Sequence, residues 1–245
     1  MPLPIYLAMT MAEMHNCDPL PEHCAYMGCT LSSGGNGLSG IPSFLPNNAI
    51  LTVNDSMPPH GHDASFILEQ LQEAVTQLRP GGVLLDFQRP YNSWLGELCM
   101  LLCYDLDCSV AVTPIYEECG SEYLFLPPIQ PDQEIESYFR TRKGKKYWLE
   151  LSAESLILTL NENGCIRDTD LTPLSPFKLY DEKLCSHYEI RITDHEAIFH
   201  LHRTCEDQRA LLEACSQYGV TAGIALYQEA CSICPVNLID SHRPQ

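Results

Sequence analysis

The stretch at residues 78–91, LRPGGVLLDFQRPY, constrains this chain more than any other. Arg79-Pro80 ends a helix, Gly81-Gly82 turns the backbone, and the apolar run Val83-Leu84-Leu85 follows. Polar side chains come only at the end, at Asp86, Gln88 and Arg89, before Pro90 closes the segment. A buried strand that delivers polar groups at its C-terminal end is how parallel α/β barrels present their chemistry. Strand alternation predicts Leu84, Asp86 and Gln88 on one face, with Val83, Leu85 and Phe87 on the other. Asp86 and Gln88 then point together, either into a site or into a satisfied polar core.

The flanking chain supplies the rest of such a barrel. Strands are predicted at 5–10, 25–31 and 49–55 before this stretch, and at 109–115, 123–126 and 147–151 after it. Asp63 reads as the N-cap of a helix at 64–78 whose apolar stripe is Phe66, Ile67, Leu71, Val75 and Leu78. Ser93 reads as the cap of a second helix at 94–104, and a short helix is predicted at 131–140. Residues 16–24 are too short and too broken by proline for a full helix, and there is no room for one between 115 and 123. Past 151 the rhythm changes: 156–160 alternates, 161–164 (NENG) turns, and 187–193 pairs with 197–202 as a hairpin. Thr204 then caps a helix at 206–218, Gly219 ends it, and 221–227 is the eighth barrel strand. The fold class is therefore a single (β/α)8 TIM-type barrel made of 1–151 and 205–230, with some crossover helices lost. A small β-rich insertion occupies 152–204, between strand seven and its helix, and 231–245 is a C-terminal tail.

Charge excludes some partners. The 14 Lys and Arg face 32 Asp and Glu, a formal charge of −18 that repels phosphate backbones and anionic membranes. Nucleic acid and membrane are accordingly excluded as partners. The start, MPLPIYLAMTMAEM, lacks the features of a signal peptide, and a cytoplasmic location with reduced thiols is the expectation. Of the 13 cysteines, Cys29, Cys99, Cys103 and Cys215 sit in apolar runs, where Cys acts as a small hydrophobe. Cys231 and Cys234 have CxxC spacing without a second pair, and His60 and His62 adjoin aspartates without a third partner. No metal or cofactor is assigned. The glycine-rich 32–37 lacks the GxxxxGK[ST] of a phosphate loop and a nearby basic residue, and reads as a mobile loop.

Several strand ends carry polar groups: Glu13 and His15 after the first strand, Asn54 and Asp55 after the third, and Glu150 on the seventh, facing in or out. The order of elements, with Gly81-Gly82-Val83-Leu84-Leu85-Asp86-Phe87-Gln88 on strand four, resembles glycoside hydrolase family 18 and its DGxxxDxE-like signature, above all the spore-cortex and peptidoglycan type. The insertion is similar too, in Tyr180-Asp181-Glu182, His187-Tyr188 and Ala197-Ile198-Phe199, as is the closing strand from Tyr218 to Tyr227. The resemblance implies that Asp86 orients a substrate acetamide and that Tyr227 stands where an active-site tryptophan is usual. It also implies a loss. Gln88 occupies the place of the general-acid glutamate, and Gly81 that of the outer aspartate.

Three readings follow. One is a catalytically degenerate barrel that binds a glycan-like or small polar ligand through Asn54, Asp55, Asp86, Gln88, Tyr227 and Glu13. Another is a hydrolase whose acid has moved to Glu13, Asp55, Glu117, Glu150 or Glu229. The last is a structural barrel with an unknown protein partner, docking where the short crossovers at 16–24 and 116–122 leave surface uncovered. The first is the leading expectation, with Asp86, Gln88 and Glu150 as the candidates for any surviving catalysis.

Overall fold

The computed structural model describes residues 2–32, 37–56, 64–142, 144–170 and 179–230. Asp63, His60, His62, most of the glycine-rich loop, and Cys231 and Cys234 with the tail around them lie outside the described residues. Eight parallel strands close a ring: β1 (Ile5–Met9), β2 (Cys24–Leu31), β4 (Ile50–Asn54), β5 (Gly82–Asp86), β6 (Ser109–Val112), β7 (Tyr123–Leu126), β8 (Lys146–Leu151) and β14 (Val220–Leu226). β1 pairs with both β14 and β2, which leaves these strands no free edge. The two-residue β3 (Leu38–Ser39) adds to β2 antiparallel. This is the (β/α)8 architecture read from the sequence.

Two apolar layers hold it together. Ala8, Ile50, Leu84, Phe125, Trp148 and Ile224 fill the barrel interior. A larger layer lies between the strands and α2 (Ala64–Leu78), α3 (Ser93–Asp105) and α5 (Cys205–Ser216). Those helices bury residues three and four apart: Ile67, Leu71 and Ala74 on α2, Leu211, Leu212 and Cys215 on α5. Phe66, predicted in the α2 stripe, is exposed, because as the immediate neighbour of Ile67 it lies about 100° round the helix from it, off the buried face. Trp148 reaches across the barrel floor to Gly82, where an added Cβ would lie 2.8 Å from its ring.

Crossovers are indeed eroded. A 3-10 turn, Pro114–Cys119, replaces a helix between β6 and β7, and Pro114 ends β6 earlier than predicted. The predicted helix at 131–140 is the five-residue α4 (Ile135–Phe139). One short helix was missed: α1 (Met11–Asn16) follows β1 directly, nucleated by a capping box between Thr10 and Glu13. The cap of α3 is Asn92, whose Oδ1 accepts from Trp94 N at 2.9 Å, rather than Ser93.

Between β8 and α5 the chain forms a separate five-stranded antiparallel sheet, ordered β10-β9-β13-β12-β11. Its strands are β9 (Ser155–Asn161), β10 (Gly164–Asp170), β11 (Leu179–Asp181), β12 (Ser186–Ile192) and β13 (Glu196–His202). The predicted hairpin is β12 and β13, while β10 was not anticipated. Arg203, 3% exposed, rivets this sheet to the barrel. Its guanidinium donates to the carbonyls of Ile129 and Gln130 beyond β7, and to those of Leu184 and Cys185 beside β12. No helix among the described residues is long and apolar enough to cross a membrane.

Candidate functional site

β5 carries its parity through to the barrel mouth. Leu84 lies in the interior layer, and Val83, Leu85 and Phe87 pack outward against the helices, all fully buried. Asp86 and Gln88 therefore share the inner face, and the Gln88 side-chain amide donates from Nε2 to Asp86 Oδ1 at 2.5 Å. The turn that carries Gln88 is clamped from both neighbouring strands. Asp55, following β4, accepts from the backbone N–H groups of Gln88 and Arg89, each at 3.0 Å. Thr113, following β6, donates to the carbonyl of Phe87 at 2.8 Å. Arg89 returns the contact, donating from Nε to the Asp55 carbonyl at 2.7 Å.

Those bonds decide what Asp55 does. It is 3% exposed, on the outward face of its strand, and each carboxylate oxygen holds one of those two backbone N–H groups. The structure gives it to the scaffold rather than to the mouth. Asn54 is occupied as well. Its amide donates to the carbonyl of Cys29 at 3.1 Å, beside the bulge in β2, and its Oδ1 accepts from Ser56 N at 3.1 Å. Glu13 accepts from Thr10 N at 2.7 Å in the α1 capping box and from the Gln228 amide. Glu229 accepts from Ala153 N at 2.6 Å, and Glu117 is exposed on the 3-10 turn.

Tyr227 turns the other way from the expected stacking position. Ala222 and Ile224 lie inside the barrel, so Leu226 is the next residue of β14 to face the mouth. Tyr227 packs into the outer layer, its hydroxyl 3.6 Å from Cys17 Sγ. Leu226, 39% exposed, is the mouth residue that sequence reasoning missed. Alternation alone could not find it, since both faces of a parallel barrel strand are apolar.

Glu150 resolves its ambiguity inward. It follows Trp148 by two residues on β8 and pairs with Ile224 of β14, both interior. Burial pushes its carboxyl from 4.5 up to about 7, and the charges of Asp86, Glu229 and Glu154 add to the rise. Asp86 is also raised by burial, while the Gln88 hydrogen bond pulls it back. The mouth thus presents Asp86, held by the Gln88 amide, and, near neutrality, a proton donor in Glu150. The Gln88 amide offers both a donor and an acceptor beside Asp86. Beside Glu150 lies a cavity of about 10 Å³ bordered by Ser152, Arg203 and Gln208, room for one water. Among the described residues, no group of three or more His, Cys, Asp or Glu is arranged to hold a metal.

No protein-family model and no curated protein matches the sequence. Solved structures do match. A GH18 chitinase from Cycas revoluta in complex with (GlcNAc)3 superposes with a TM-score of 0.59 at 9% identity, over 97% of this chain and 99% of that one. The spore cortex-lytic enzyme SleL of Bacillus cereus gives 0.55 at 7%, over 91% and 70%. The chitinase-like agglutinin RobpsCRA of Robinia pseudoacacia gives 0.52 at 12%, over 89% and 93%. At such identities the likeness carries the fold: the chain is a (β/α)8 barrel of the kind seen in GH18 chitinases and spore cortex-lytic enzymes.

Proposed function

We propose that this barrel binds a glycan-like or small polar ligand at the mouth formed by Asp86, Gln88 and Glu150, and that it does not hydrolyse it. One observation carries the reading: the Gln88 amide is hydrogen-bonded to the Asp86 carboxylate where the resemblance calls for a general-acid glutamate. An amide has no proton to give a leaving glycosidic oxygen, and losing a positioned general acid forfeits about 10² to 10⁴ in rate. It remains a good recognition group. The bond orients Asp86, and the second N–H and the carbonyl of Gln88 stay available for ligand hydroxyl or acetamide groups. The similar fold of a chitinase-like agglutinin is in keeping with a binding role. Calorimetry with chito-oligosaccharides and muropeptides is the test. Wild type should bind without turnover, Asp86→Ala should lose binding, and Gln88→Glu should gain slow hydrolysis. Binding unchanged in Asp86→Ala refutes the site.

Glu150 supports a second reading, a hydrolase whose acid sits on β8. A carboxyl at about 7 is protonated often enough near neutral pH to serve as a general acid. That reading requires wild-type turnover that declines above about pH 7 and disappears in Glu150→Gln. Wild type inert toward these substrates removes it.

A further inference from the structure

The face of the barrel opposite the mouth holds chemistry that ligand binding does not use. Cys103, on the last turns of α3, and Cys119, at the end of the 3-10 turn Pro114–Cys119, bring their sulfurs to 3.6 Å. Both are half-buried and free. Cys103 lines a cavity of about 430 Å³ that opens among the N-terminal ends of β6 and β7, with Ser109, Gly120 and Ser121 on its wall. The two cysteines lie 16 residues apart on separate segments, so their approach is a product of the fold rather than of local sequence.

We propose that Cys103 and Cys119 form a redox-active dithiol, which a hydroperoxide converts to an intramolecular disulfide. Cys119 is the nucleophile. The hydrogen bond shared by the two sulfurs lowers its pKa, and the Ser121 N–H and the Lys145 charge act in the same direction, against burial. Cys103 is pushed up, since giving up its proton would break that bond and burial disfavours the anion. Lys145 is fixed there, its ammonium donating to the Ser121 carbonyl at 2.5 Å. Cys99, nearby on α3, is fully buried and pushed up by burial, which keeps it out of the first step.

The chemistry balances in two steps. The Cys119 thiolate attacks one peroxide oxygen, the O–O bond breaks, and the leaving oxygen takes a proton to become water or an alcohol. The sulfur is oxidised by two electrons to a sulfenic acid. Cys103 then loses its proton and attacks that sulfur, the S–O bond breaks, and the hydroxide leaves with the proton as water. Closing the disulfide asks the sulfurs to approach by about 1.5 Å. The link would tie α3 to the turn that stands in for the lost crossover helix.

The 245-residue chain, reduced and then exposed to hydrogen peroxide, is the test. Intact mass should fall by two hydrogens, peptide mapping should find a Cys103–Cys119 link, and dithiothreitol should reverse it. Cys103→Ser should stop at a dimedone-reactive sulfenic acid on Cys119, and Cys119→Ser should give neither product. In Cys103→Ser, Cys119 should react about tenfold faster than the exposed Cys165. Circular dichroism on both variants separates lost reactivity from lost fold. A first disulfide between other cysteines overturns the proposal, as does peroxide labelling of Cys165 ahead of Cys119 in a folded protein.

Discussion

Glu150→Gln should make this protein more stable, and only above a definite pH. In the fold the Glu150 carboxyl is raised from 4.5 to about 7, because the barrel mouth strips water from it and the nearby charge of Asp86 adds to the rise. Below pH 4.5 the side chain is protonated in the folded and unfolded chains alike, and contributes no pH dependence. Between 4.5 and about 7 the folded chain keeps a proton that the unfolded chain has released, so stability falls as pH rises. Above about 7 both states are ionised and the whole penalty is in place. A displacement of that size corresponds to about 3 kcal/mol at pH 8, an upper value because any relaxation of the mouth reduces it. Gln keeps the shape and removes the charge. Urea titrations followed by tryptophan fluorescence, from pH 4 to 8.5, should show wild type and variant within about 0.5 kcal/mol at the acid end. They should then diverge in favour of the variant up to pH 8. A difference that stays flat with pH, or a variant less stable than wild type at pH 8, would refute the placement of Glu150 as a buried, like-charged neighbour of Asp86.

Two further substitutions probe the scaffold. Gly82→Ala sets a Cβ 2.8 Å from the Trp148 ring and 3.0 Å from the Ser109 carbonyl. It should cost about 1–3 kcal/mol and shift the tryptophan emission, read by denaturant titration and fluorescence. Arg203→Met leaves the buried carbonyls of Ile129 and Cys185 and the half-buried ones of Gln130 and Leu184 without their donor, a loss on the order of 3–5 kcal/mol. Hydrogen exchange should rise first at 129–130 and 184–186, ahead of the barrel strands, and Arg203→Lys should not restore it, because one ammonium cannot span four carbonyls.

The barrel was legible because its strands and helices differ in period. The barrel strands are short apolar runs, several of them ending in polar residues, and α2 and α5 repeat their buried side chains every three or four positions. What escaped was short or non-local. The capping box Thr10-x-x-Glu13 was visible, but Glu13 was read as a strand-end carboxylate instead of the third residue of a helix. β10, with Arg167, Asp168 and Asp170 in its seven residues, has too little apolar alternation to announce a strand; it is held by pairing with β9.

The site divides along the same line, between what alternation reaches and what it does not. From Gly82 to Asp86 the strand has no bulge, so one inward residue fixes the others, and Asp86, with Gln88 just beyond the strand, follows from Leu84. On β14 it was the resemblance, not alternation, that offered Tyr227, and the inward Ala222 and Ile224 give the mouth to Leu226 instead. Asp55 and Asn54 fail for another reason. A carboxylate or amide at a strand end serves a ligand only if the backbone has not already taken it, and the N–H groups that take Asp55 lie 33 and 34 residues further along the chain. The same bonds are what keep the Gln88 turn rigid. Removing Asp55 should therefore weaken ligand binding without Asp55 touching the ligand, and that would separate a residue that builds this mouth from one that lines it.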